Sequence, residues 1–375
     1  MAQPKCKIHL IAGARPNIIK VAPLYKLLLT QSWCAPEFVW FTQHYTPELS
    51  SENLQDFGIQ KPDHVIEVSQ DNFGTRLGGM ITQYQSLCSE NRPDFVIVAG
   101  DVDTSLGASL AARRLDIPLV HLEAGLRSYD AAMPEEANRI LIDAISDVWL
   151  SPSEAALQNL VLHEGKPPER VHFVGNIMID SLCQMLDRDI QEQMLADYAP
   201  DGQAFGVATF HRPANVDTPA RATWILETLD AISRRHPIVF PLHPRTRTTF
   251  ERLGLMERLM ALPAVTVIPA LRYEKFINLL ARADFILTDS GGIQEEAAYL
   301  RKPCFTLRET TERPVTVHCG SNHLINPENT KDVIFTVLDT AVQDRQITRI
   351  PLWDGLTSQR ISHVLNQWWI QRTRP

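Results

Sequence analysis

Several motifs that identify common enzyme classes are missing from this sequence. It contains no G-x-G-x-x-G and no G-x-x-x-x-G-K followed by Ser or Thr, which argues against nicotinamide, flavin and P-loop nucleotide sites. It contains no H-E-x-x-H, and its histidines and acids show no metal-ligand spacing. The sequence therefore predicts neither a redox cofactor nor a metal ion.

Cysteine pairs, long apolar runs and excess positive charge are missing as well. The six cysteines form no C-x-x-C pair, so neither a disulfide framework nor a zinc site is indicated, and reduced thiols in a cytoplasmic protein are expected. No apolar run suits a signal peptide or a membrane span. The formal net charge of −8 argues against a nucleic-acid-binding protein, which would normally be basic.

What the sequence does contain is a regular alternation of short apolar runs and longer amphipathic segments. Its 375 residues suit two domains better than one, and 44% of them are hydrophobic. The predicted strands cover 7–13, 36–42, 94–100, 118–124, 147–152 and 170–175 in the first half, and 204–210, 237–243, 264–270, 284–289 and 303–309 in the second. Continuous apolar strands separated by helices indicate parallel sheets covered on both faces. The predicted fold is therefore α/β, with two doubly wound Rossmann-like domains.

The domain junction is predicted near the segment GNIMID, at 175–180. An N-terminal domain would cover 1–176 and a second domain 177–356. The last helix, 357–375, is rich in tryptophan, and we expect it to return to the first domain.

Charged and small residues follow many of the predicted strands. Because ligands of open α/β sheets bind beyond the carboxyl ends of the strands, these residues predict a cleft between the two domains. The residues at these positions are Arg15, Lys20, Asp101, Glu123, His211, Arg212, His243, Ser290, Gly291, Gly292, Arg308 and Arg313.

The corner Ser290-Gly291-Gly292 opens a segment with helical character. Unpaired amides at a helix start bind anions, and glycine lets a phosphate approach the backbone closely. A tight strand-to-helix turn that uses glycine for packing is an equally good interpretation. Glu296, about one turn later, suits ribose hydroxyls, or it simply pairs with the helix dipole or faces solvent.

Arg15 and Lys20 are the first and last residues of the segment RPNIIK, where Pro16 suits the start of a helix. Both cations could neutralise a diphosphate. Ordinary surface charge is the alternative, and for Lys20 taken alone it is the better one.

Two carboxylates that converge in a cleft can divide acid and base roles, and Asp101 and Glu123 each follow a strand. A helix cap for Asp101 and a role in the turn for Glu123 are the structural alternatives. Glu135 and Glu136 follow Pro134 and could be first-turn acids. We predict His211 to be a general acid or a stabiliser of a leaving group, with a structural loop histidine as the alternative.

One further histidine has a simpler interpretation. His121 lies inside a strand, so we expect it to be buried and hydrogen-bonded.

Together these stretches resemble the non-hydrolysing UDP-N-acetylglucosamine 2-epimerase family. The resemblance extends from residue 13 to 355, with HLEAGLR and PEEANR, and SGGIQEE and TTERP, as its most specific pairs. The matching segments are GARPNIIKVAPL, TQHY, GDVDTSLGASLAA, HLEAGLRSYDAAMPEEANR, FVGNIMID, HRPANVD, LTDSGGIQEEA, RETTERPVTVHCG and LWDG.

The resemblance implies a two-domain glycosyltransferase-B-like fold, a UDP-sugar substrate in the interdomain cleft, no NAD or metal, and a homodimer. The implied catalytic residues are Asp101, Glu123, Glu135 and His211. The implied substrate-binding residues are Arg15, Lys20, Gln43, His44, Arg139, Arg212, His243, Leu271, Phe276, Ser290, Gly291, Gly292, Glu296 and Arg313. The Ser-Gly-Gly corner would hold the diphosphate and Glu296 the ribose.

The implied reaction is the reversible epimerisation of UDP-N-acetylglucosamine to UDP-N-acetylmannosamine at sugar carbon 2. It proceeds by anti elimination of UDP to a 2-acetamidoglucal and re-addition of UDP. Which acid or histidine serves which face of the sugar stays open. A related sugar such as UDP-2,3-diacetamido-2,3-dideoxy-glucuronate, a hydrolysing relative, a glycosyltransferase of the same fold and a non-catalytic sensor are the alternatives.

The sequence departs from the family pattern at three positions. The segment FTQHYT has Thr42 and Thr46 where the family often has Gly and Asp. Leu271 stands where some members have Gln, so a side-chain contact to uracil would be lost there and a backbone contact kept. In some members the segment that corresponds to FTQHYT helps bind a second substrate molecule that activates the enzyme. The changes at Thr42 and Thr46 leave open whether this protein is regulated in that way.

Overall fold

The computed structural model of this protein describes residues 5–13, 15–43, 54, 56–69, 71–198, 204–340 and 346–373. The chain forms two compact units. Unit 1 comprises Met1–Ser181 and Pro351–Pro375, and unit 2 comprises Leu182–Ile350. These boundaries lie a few residues from the junctions predicted after 176 and before 357.

Unit 1 begins with alternating strands and helices. Its elements are β1 (Cys6–Ala12), α1 (Arg15–Leu29), β2 (Cys34–Gln43), β3 (His64–Val68), α2 (Phe73–Glu90), β4 (Phe95–Ala99), α3 (Asp103–Arg114), β5 (Leu119–Leu122), α4 (Pro134–Ile145), β6 (Val148–Ser151), α5 (Glu154–Gln158), a π-helical turn (Asn159–His163), a 3-10 turn (Pro168–Arg170), β7 (Val171–Phe173) and α6 (Ile177–Met185). The last of these, α6, crosses into unit 2.

Unit 2 repeats the alternation, and unit 1 then resumes. The further elements are α7 (Arg188–Tyr198), β8 (Gly206–Thr209), α8 (Pro213–Val216), α9 (Pro219–Ser233), β9 (Ile238–Leu242), α10 (Pro244–Arg252), α11 (Met256–Met260), β10 (Val265–Pro269), α12 (Tyr273–Arg282), β11 (Phe285–Thr288), α13 (Gly291–Leu300), β12 (Cys304–Leu307), α14 (Pro314–His318), β13 (Asn322–Ile325), α15 (Thr330–Asp339) and, in unit 1, α16 (Thr357–Thr373).

Both sheets are parallel and follow the same plan. The order is β3-β2-β1-β4-β5-β6-β7 in unit 1 and β10-β9-β8-β11-β12-β13 in unit 2. The direction of winding reverses between β1 and β4, and again between β8 and β11, and such a switch point is where open α/β sheets bind ligands. Central strands such as β4 and β11 are entirely buried, as their continuous apolar sequences require.

Two strands were missed by the sequence analysis, β3 and β13. Each is one of the two edge strands of its sheet, and both have short, partly polar sequences. An edge strand pairs on one side only and keeps polar residues, so its short sequence lacks the apolar run that identifies a central strand. In β3, for example, His64, Val65 and Glu67 are partly or fully exposed, whereas Ile66 and Val68 are buried.

The last helix, α16, packs in unit 1, where the Trp368 ring lies 5.5 Å from the ring of Phe95. Its first turn is held by Asp180, whose carboxylate accepts hydrogen bonds from the amides of Thr357 (3.0 Å) and Ser358 (2.7 Å). Such a carboxylate satisfies amides that have no partner inside the helix. No helix in the described part of the chain is both long and apolar enough to cross a lipid bilayer.

Candidate active site

The switch point of unit 1 carries a buried ion pair. Lys20 of α1 and Glu123, which follows β5, are 8% and 4% exposed, and their side chains form a hydrogen-bonded pair. Gly100 makes room for it, because a Cβ atom there would lie 2.7 Å from Lys20 Nζ and 3.0 Å from Glu123 Oε2. Gly100 also has φ of +63°, which glycine adopts without strain. Lys20 is therefore not an ordinary surface charge.

Glu123 itself has a strained backbone. Its φ is +72°, a conformation that a non-glycine residue adopts only when its surroundings enforce it. The amides of Glu123 and Ala124 both donate to the carbonyl of Leu150, at 3.0 and 3.1 Å. The neighbouring strand β6 thus fixes the turn that presents the Glu123 carboxylate, which is a common arrangement for functional groups.

Asp101, after β4, belongs to a second chain of charges. Its carboxylate pairs with the Arg139 guanidinium, and the other arm of Arg139 donates to Glu136 Oε2 at 2.7 Å. Asn138, also on α4, donates to the carbonyl of Asp101 at 2.9 Å. Arg139 is 4% exposed, whereas the Asp101 side chain is 23% exposed. Arg139 therefore holds Asp101 in place at the edge of the sheet while leaving it accessible.

The adjacent acids Glu135 and Glu136 have opposite environments. Glu135 is exposed, whereas Glu136 is buried and accepts hydrogen bonds from the amides of Ser128 and Tyr129, both at 2.9 Å. Burial alone raises the pKa of Glu136, but these hydrogen bonds and the Arg139 guanidinium outweigh it and lower the pKa. Glu136 is thus a structural carboxylate, and Glu135 is the one available to a ligand.

A buried triad lies behind these groups, and the sequence analysis missed its centre, Asp143. The carboxylate of Asp143 contacts His121 Nδ1 at 2.6 Å, Arg127 Nη2 at 2.7 Å and the Gly125 amide at 3.1 Å. His121 is fully buried and bonded, as predicted, and its Nε2 lies 3.0 Å from the carbonyl of Gly100.

The burial of Asp143 by itself raises its pKa, but His121 and Arg127 outweigh that effect, and the pKa is lowered. The triad joins the loop that carries Asp101 to the turn that carries Glu123, since Gly100 and Gly125 belong to these segments. The only hint in the sequence is an acid on the apolar face of α4, in NRILIDAI.

The switch point of unit 2 carries His211. Its Nδ1 lies 3.2 Å from Asp289 Oδ1, and the carboxylate of Asp289 also accepts from the amides of His211 (3.1 Å) and Arg212 (2.9 Å) and from the side chain of Asn215 (3.2 Å). Burial raises the pKa of Asp289, but these partners outweigh it and leave the pKa below its usual range. The His211 side chain is 38% exposed, so Asp289 orients an accessible imidazole. The sequence analysis did not single out Asp289.

Helix α13 begins at the same switch point. Ser290 precedes it without capping it through its side chain, and Ser290, Gly291 and Gly292 are half-buried. A Cβ atom on Gly291 would lie 2.8 Å from Arg313 Nη1 and 3.0 Å from Glu312 Oε1. Glycine is therefore needed there for the close approach of Arg313, and the helix start presents backbone amides next to a guanidinium. That combination suits a phosphate.

Buried charges of both signs surround the start of α13. Arg313 Nε lies 3.0 Å from Glu295 Oε1, Arg313 Nη1 pairs with Glu312, and Arg308 Nη2 lies 2.9 Å from Glu312 Oε2. All four side chains are at most 10% exposed. Fixed in this way, Arg313 can offer charge to a ligand without a large rearrangement.

The remaining predicted contacts of unit 2 lie on neighbouring elements. Glu296 is 3% exposed and accepts a hydrogen bond from the Tyr273 hydroxyl at 2.9 Å. Leu271, which precedes α12, and Phe276, in its first turn, are half-buried. His243 is exposed and caps α10, accepting from the Arg245 amide at 3.2 Å.

Three predicted residues have no described side chain. Arg15 is the first residue of α1, Gln43 the last of β2, and His44 lies outside the described residues. Among the residues that the structure does describe, one group of side chains is close enough to hold a metal ion, His9, Glu37 and His64. It includes none of the predicted site residues.

Comparison with known proteins shows which family this chain is similar to. The family model described as UDP-N-acetylglucosamine 2-epimerase matches residues 28–366. The chain is 33% identical to UDP-N-acetylglucosamine 2-epimerase from Methanococcus maripaludis, over 96% of this chain and 98% of that protein. It is 38% identical to UDP-2,3-diacetamido-2,3-dideoxy-D-glucuronate 2-epimerase from Pseudomonas aeruginosa, over 90% of this chain and 94% of that protein.

Solved structures agree with this. The Methanocaldococcus jannaschii UDP-GlcNAc 2-epimerase in complex with UDP-GlcNAc and UDP is 33% identical, with a TM-score of 0.83 and coverage of 97% of this chain and 100% of that one. The Neisseria meningitidis UDP-GlcNAc 2-epimerase bound to UDP-GlcNAc is 30% identical, with a TM-score of 0.86 and coverage of 96% and 100%. The predicted fold class, two Rossmann-like domains of the glycosyltransferase-B type, is confirmed. This chain therefore belongs to the UDP-N-acetylglucosamine 2-epimerase family.

Proposed function

We propose that this protein interconverts UDP-N-acetylglucosamine and UDP-N-acetylmannosamine. The observation that carries the proposal is the family match over residues 28–366. The site geometry is compatible with it, because unit 1 offers carboxylates suited to proton transfer and unit 2 offers a helix start suited to a diphosphate.

The hydrogen on sugar carbon 2 is not next to a carbonyl, so removing it alone is too costly. In the proposed reaction a base takes that proton, the electron pair of the broken C–H bond forms the C1–C2 double bond, and UDP leaves with the electron pair of the C1–O bond. The products are UDP and 2-acetamidoglucal. Protonation of carbon 2 from the opposite face and re-addition of UDP at carbon 1 give the epimer.

We assign proton transfer to the exposed or cation-held groups Asp101, Glu123 and Glu135 of unit 1. Lys20 and Arg139 fix two of these carboxylates, so that each points in one direction. Reaction on both faces of the sugar needs at least two titratable groups, and unit 1 offers three. Substrate-binding groups alone would not require this set.

We assign the UDP moiety to unit 2. The amides at the start of α13 and the guanidinium of Arg313 would stabilise the negative charge that develops on the departing diphosphate. His211, oriented by Asp289, is suited to donate a hydrogen bond or a proton to the diphosphate oxygen that leaves carbon 1 of the sugar. Glu296, held by Tyr273, is our candidate for the ribose hydroxyls.

A second candidate substrate is UDP-2,3-diacetamido-2,3-dideoxy-glucuronate. The 38% identity to the Pseudomonas aeruginosa enzyme of that name favours it. A uronate needs a cation, but Arg245 makes two contacts with Asp217, at 3.1 and 2.7 Å. Arg247 has a 44% exposed side chain that reaches Glu251 at 4.0 Å. These two arginines of α10 therefore already have carboxylate partners within the protein.

The test is proton NMR of the purified protein with each nucleotide sugar in deuterated water. For the neutral sugar we expect a new anomeric signal from the mannose epimer and deuterium at carbon 2 of both epimers. Glu135→Gln protein is the control for a contaminating epimerase. Turnover of the diacetamido uronate alone would move the proposal to that substrate, and no exchange with either one would reject it.

We further propose that the active form is a homodimer, on the family resemblance. Light scattering coupled to size-exclusion chromatography measures its mass directly. A mass near 42.3 kDa, that of one chain, would contradict this part of the proposal.

A further inference from the structure

Three side chains of unit 1 converge on one face of the sheet, away from the proposed active site. His9 is in β1, Glu37 pairs with it in register on β2, and His64 opens β3. Glu37 Oε2 lies 3.3 Å from His9 Nε2 and 2.7 Å from His64 Nε2. One ligand atom from each residue lies within 4.8 Å of the other two.

One buried ring nitrogen of this group lacks a hydrogen bond. His9 is fully buried, and its Nε2 makes no hydrogen bond with any group in the described ranges, although it faces Glu37. A buried ring nitrogen without a hydrogen bond is costly, and such atoms call for a specific explanation.

The surrounding groups fix the orientation of the three side chains. His9 Nδ1 lies 3.1 Å from the Tyr84 hydroxyl, so the other ring nitrogen, Nε2, faces Glu37. The side-chain amide of Asn91 donates to Glu37 Oε2 at 2.5 Å and lies 3.0 Å from His64 Nε2. Outer hydrogen bonds of this kind, to the second nitrogen of a histidine and to a carboxylate, are typical around metal ligands.

We propose that His9, Glu37 and His64 form a binding site for a divalent transition-metal ion, with zinc as the best fit. Two imidazoles and one carboxylate are a common zinc ligand set. Around a tetrahedral zinc ion, neighbouring ligand atoms stand about 3.3 Å apart, given zinc–ligand distances of about 2.0–2.1 Å. The His9–Glu37 separation of 3.3 Å already fits. The shorter contact of His64 to Glu37 has to open by about half an ångström.

The site is accessible from outside. His64 has a 26% exposed side chain. It lines an open surface pocket of about 480 Å³, together with Asp63, Ser86 and Glu90. An ion can therefore reach His64 past two carboxylates, and an entry path is one of the requirements of a usable metal site.

The ion would act on structure and not on the epimerisation. It would tie the edge strand β3 to β2 and β1, because each strand supplies one ligand. His64 is the first residue of β3, and the ligands precede the carboxyl ends of their strands, whereas Asp101 and Glu123 follow such ends. The inference therefore does not depend on the proposed reaction.

Titration of metal-free protein with zinc, in competition with a chromophoric chelator, tests the proposal. We expect one zinc ion per chain, and a visible spectrum of tetrahedral intensity when cobalt replaces zinc. His64→Gln and Glu37→Gln should each weaken binding at least tenfold. These partly exposed positions are safer than the fully buried His9, and circular dichroism verifies that each variant folds.

Two further variants make the test specific. His163→Gln removes an exposed histidine of unit 1 and should leave zinc affinity unchanged. Lys7→Met should strengthen binding, because Lys7 Nζ lies 4.0 Å from Glu37 Oε1 and repels a cation.

The proposal is overturned if the metal-free protein binds no zinc below micromolar concentration. It is also overturned if His64→Gln and Glu37→Gln bind zinc as the unaltered protein does, since the ion then lies elsewhere. No nucleotide sugar is present in this experiment, so its outcome is independent of epimerase activity.

Discussion

Units 1 and 2 use the same strand order, but their switch points carry different chemistry. In unit 1 the side chains that follow the strands are acids, each fixed by a buried cation, as in Lys20–Glu123 and Arg139–Asp101. In unit 2 the switch point offers a helix start with two glycines and an imidazole oriented by Asp289. One fold thus presents cation-held acids in the first unit, to which we assign proton transfer, and a helix start in the second, to which we assign the diphosphate.

The difference shows that the strand order decides where a ligand binds, while local residues decide which one. Unit 1 uses side chains, and it stabilises them with the buried triad of Asp143, His121 and Arg127. Unit 2 adds the backbone amides at the start of α13, where the close approach of Arg313 requires that Gly291 carry no Cβ atom. Loss of function should therefore have a different signature in each unit, in catalysis for unit 1 and in nucleotide binding for unit 2.

The strongest test of this division uses the adjacent acids of α4. Glu135→Gln should lower kcat by roughly 10²–10⁴-fold, the usual contribution of a general acid or base. UDP affinity and the urea midpoint of unfolding should stay unchanged, because Glu135 is exposed.

The matched control is Glu136→Gln. It loses the charge that the amides of Ser128 and Tyr129 and the guanidinium of Arg139 hold. Stability should fall by roughly 2–4 kcal/mol. If Glu136→Gln instead lowers kcat at full stability, the roles of the two acids are reversed.

The second test concerns the triad. Asp143→Asn should lower the free energy of unfolding of unit 1 by roughly 3–5 kcal/mol, because the buried guanidinium of Arg127 loses one of its carboxylates and the buried His121 loses its charged partner. Tryptophan fluorescence can follow it, since only Trp224 of the seven tryptophans lies in unit 2.

The triad also has a pH signature. The pKa of Asp143 is lowered in the folded protein, so its stabilisation is complete above the usual value of about 3.9 and is lost as the pH falls through the folded value. The acid loss of stability should therefore be smaller in Asp143→Asn. Asp354→Asn, in the exposed pair with Arg360, should cost only about 0.2–1 kcal/mol. Equal losses in both variants would contradict the role of the triad.

The third test concerns the imidazole of unit 2. Asp289→Asn should lower kcat by about 10–100-fold, because His211 loses the group that orients it. UDP affinity should change little. Combining it with His211→Asn should add no further loss, since the two residues act as a unit.

A control for this third test lies at the other end of the same strand. Asp284 accepts from the Phe205 amide at 3.0 Å, and Asp284→Asn should leave kcat unchanged. Additive losses in the double variant would mean that Asp289 acts independently of His211.

The smallest expected effect concerns the start of α13. Gly291→Ala should weaken UDP binding about tenfold in calorimetry, since the new methyl group displaces Arg313. Gly78→Ala in α2, where nothing lies within 4 Å of the new Cβ, should leave it unchanged. A lower kcat with unchanged UDP affinity in Gly291→Ala would break the division between the units.

The sequence predicted the fold class because central parallel strands are continuous apolar runs, and it proposed a site at the strand ends because ligands of such sheets gather there. It could not identify Asp143, Asp289 or the group of His9, Glu37 and His64. Those groups depend on contacts between residues far apart in the chain, which leave no spacing to recognise. Lys20 was underestimated for the same reason, since its partner, Glu123, lies about a hundred residues away.

The chain path of unit 1 has a consequence for the order of synthesis. Unit 2 is one continuous segment, Leu182–Ile350, whereas unit 1 is interrupted by it and resumes at Pro351. Asp180 accepts hydrogen bonds from the amides of Thr357 and Ser358, which are synthesised much later. Gly175 (φ +90°) packs so close to Leu352 that a Cβ atom on Gly175 would lie 2.2 Å from the carbonyl oxygen of Leu352. The ribosome therefore completes all of unit 2 before it supplies the helix that closes unit 1, so the unit that starts first is the last to be finished.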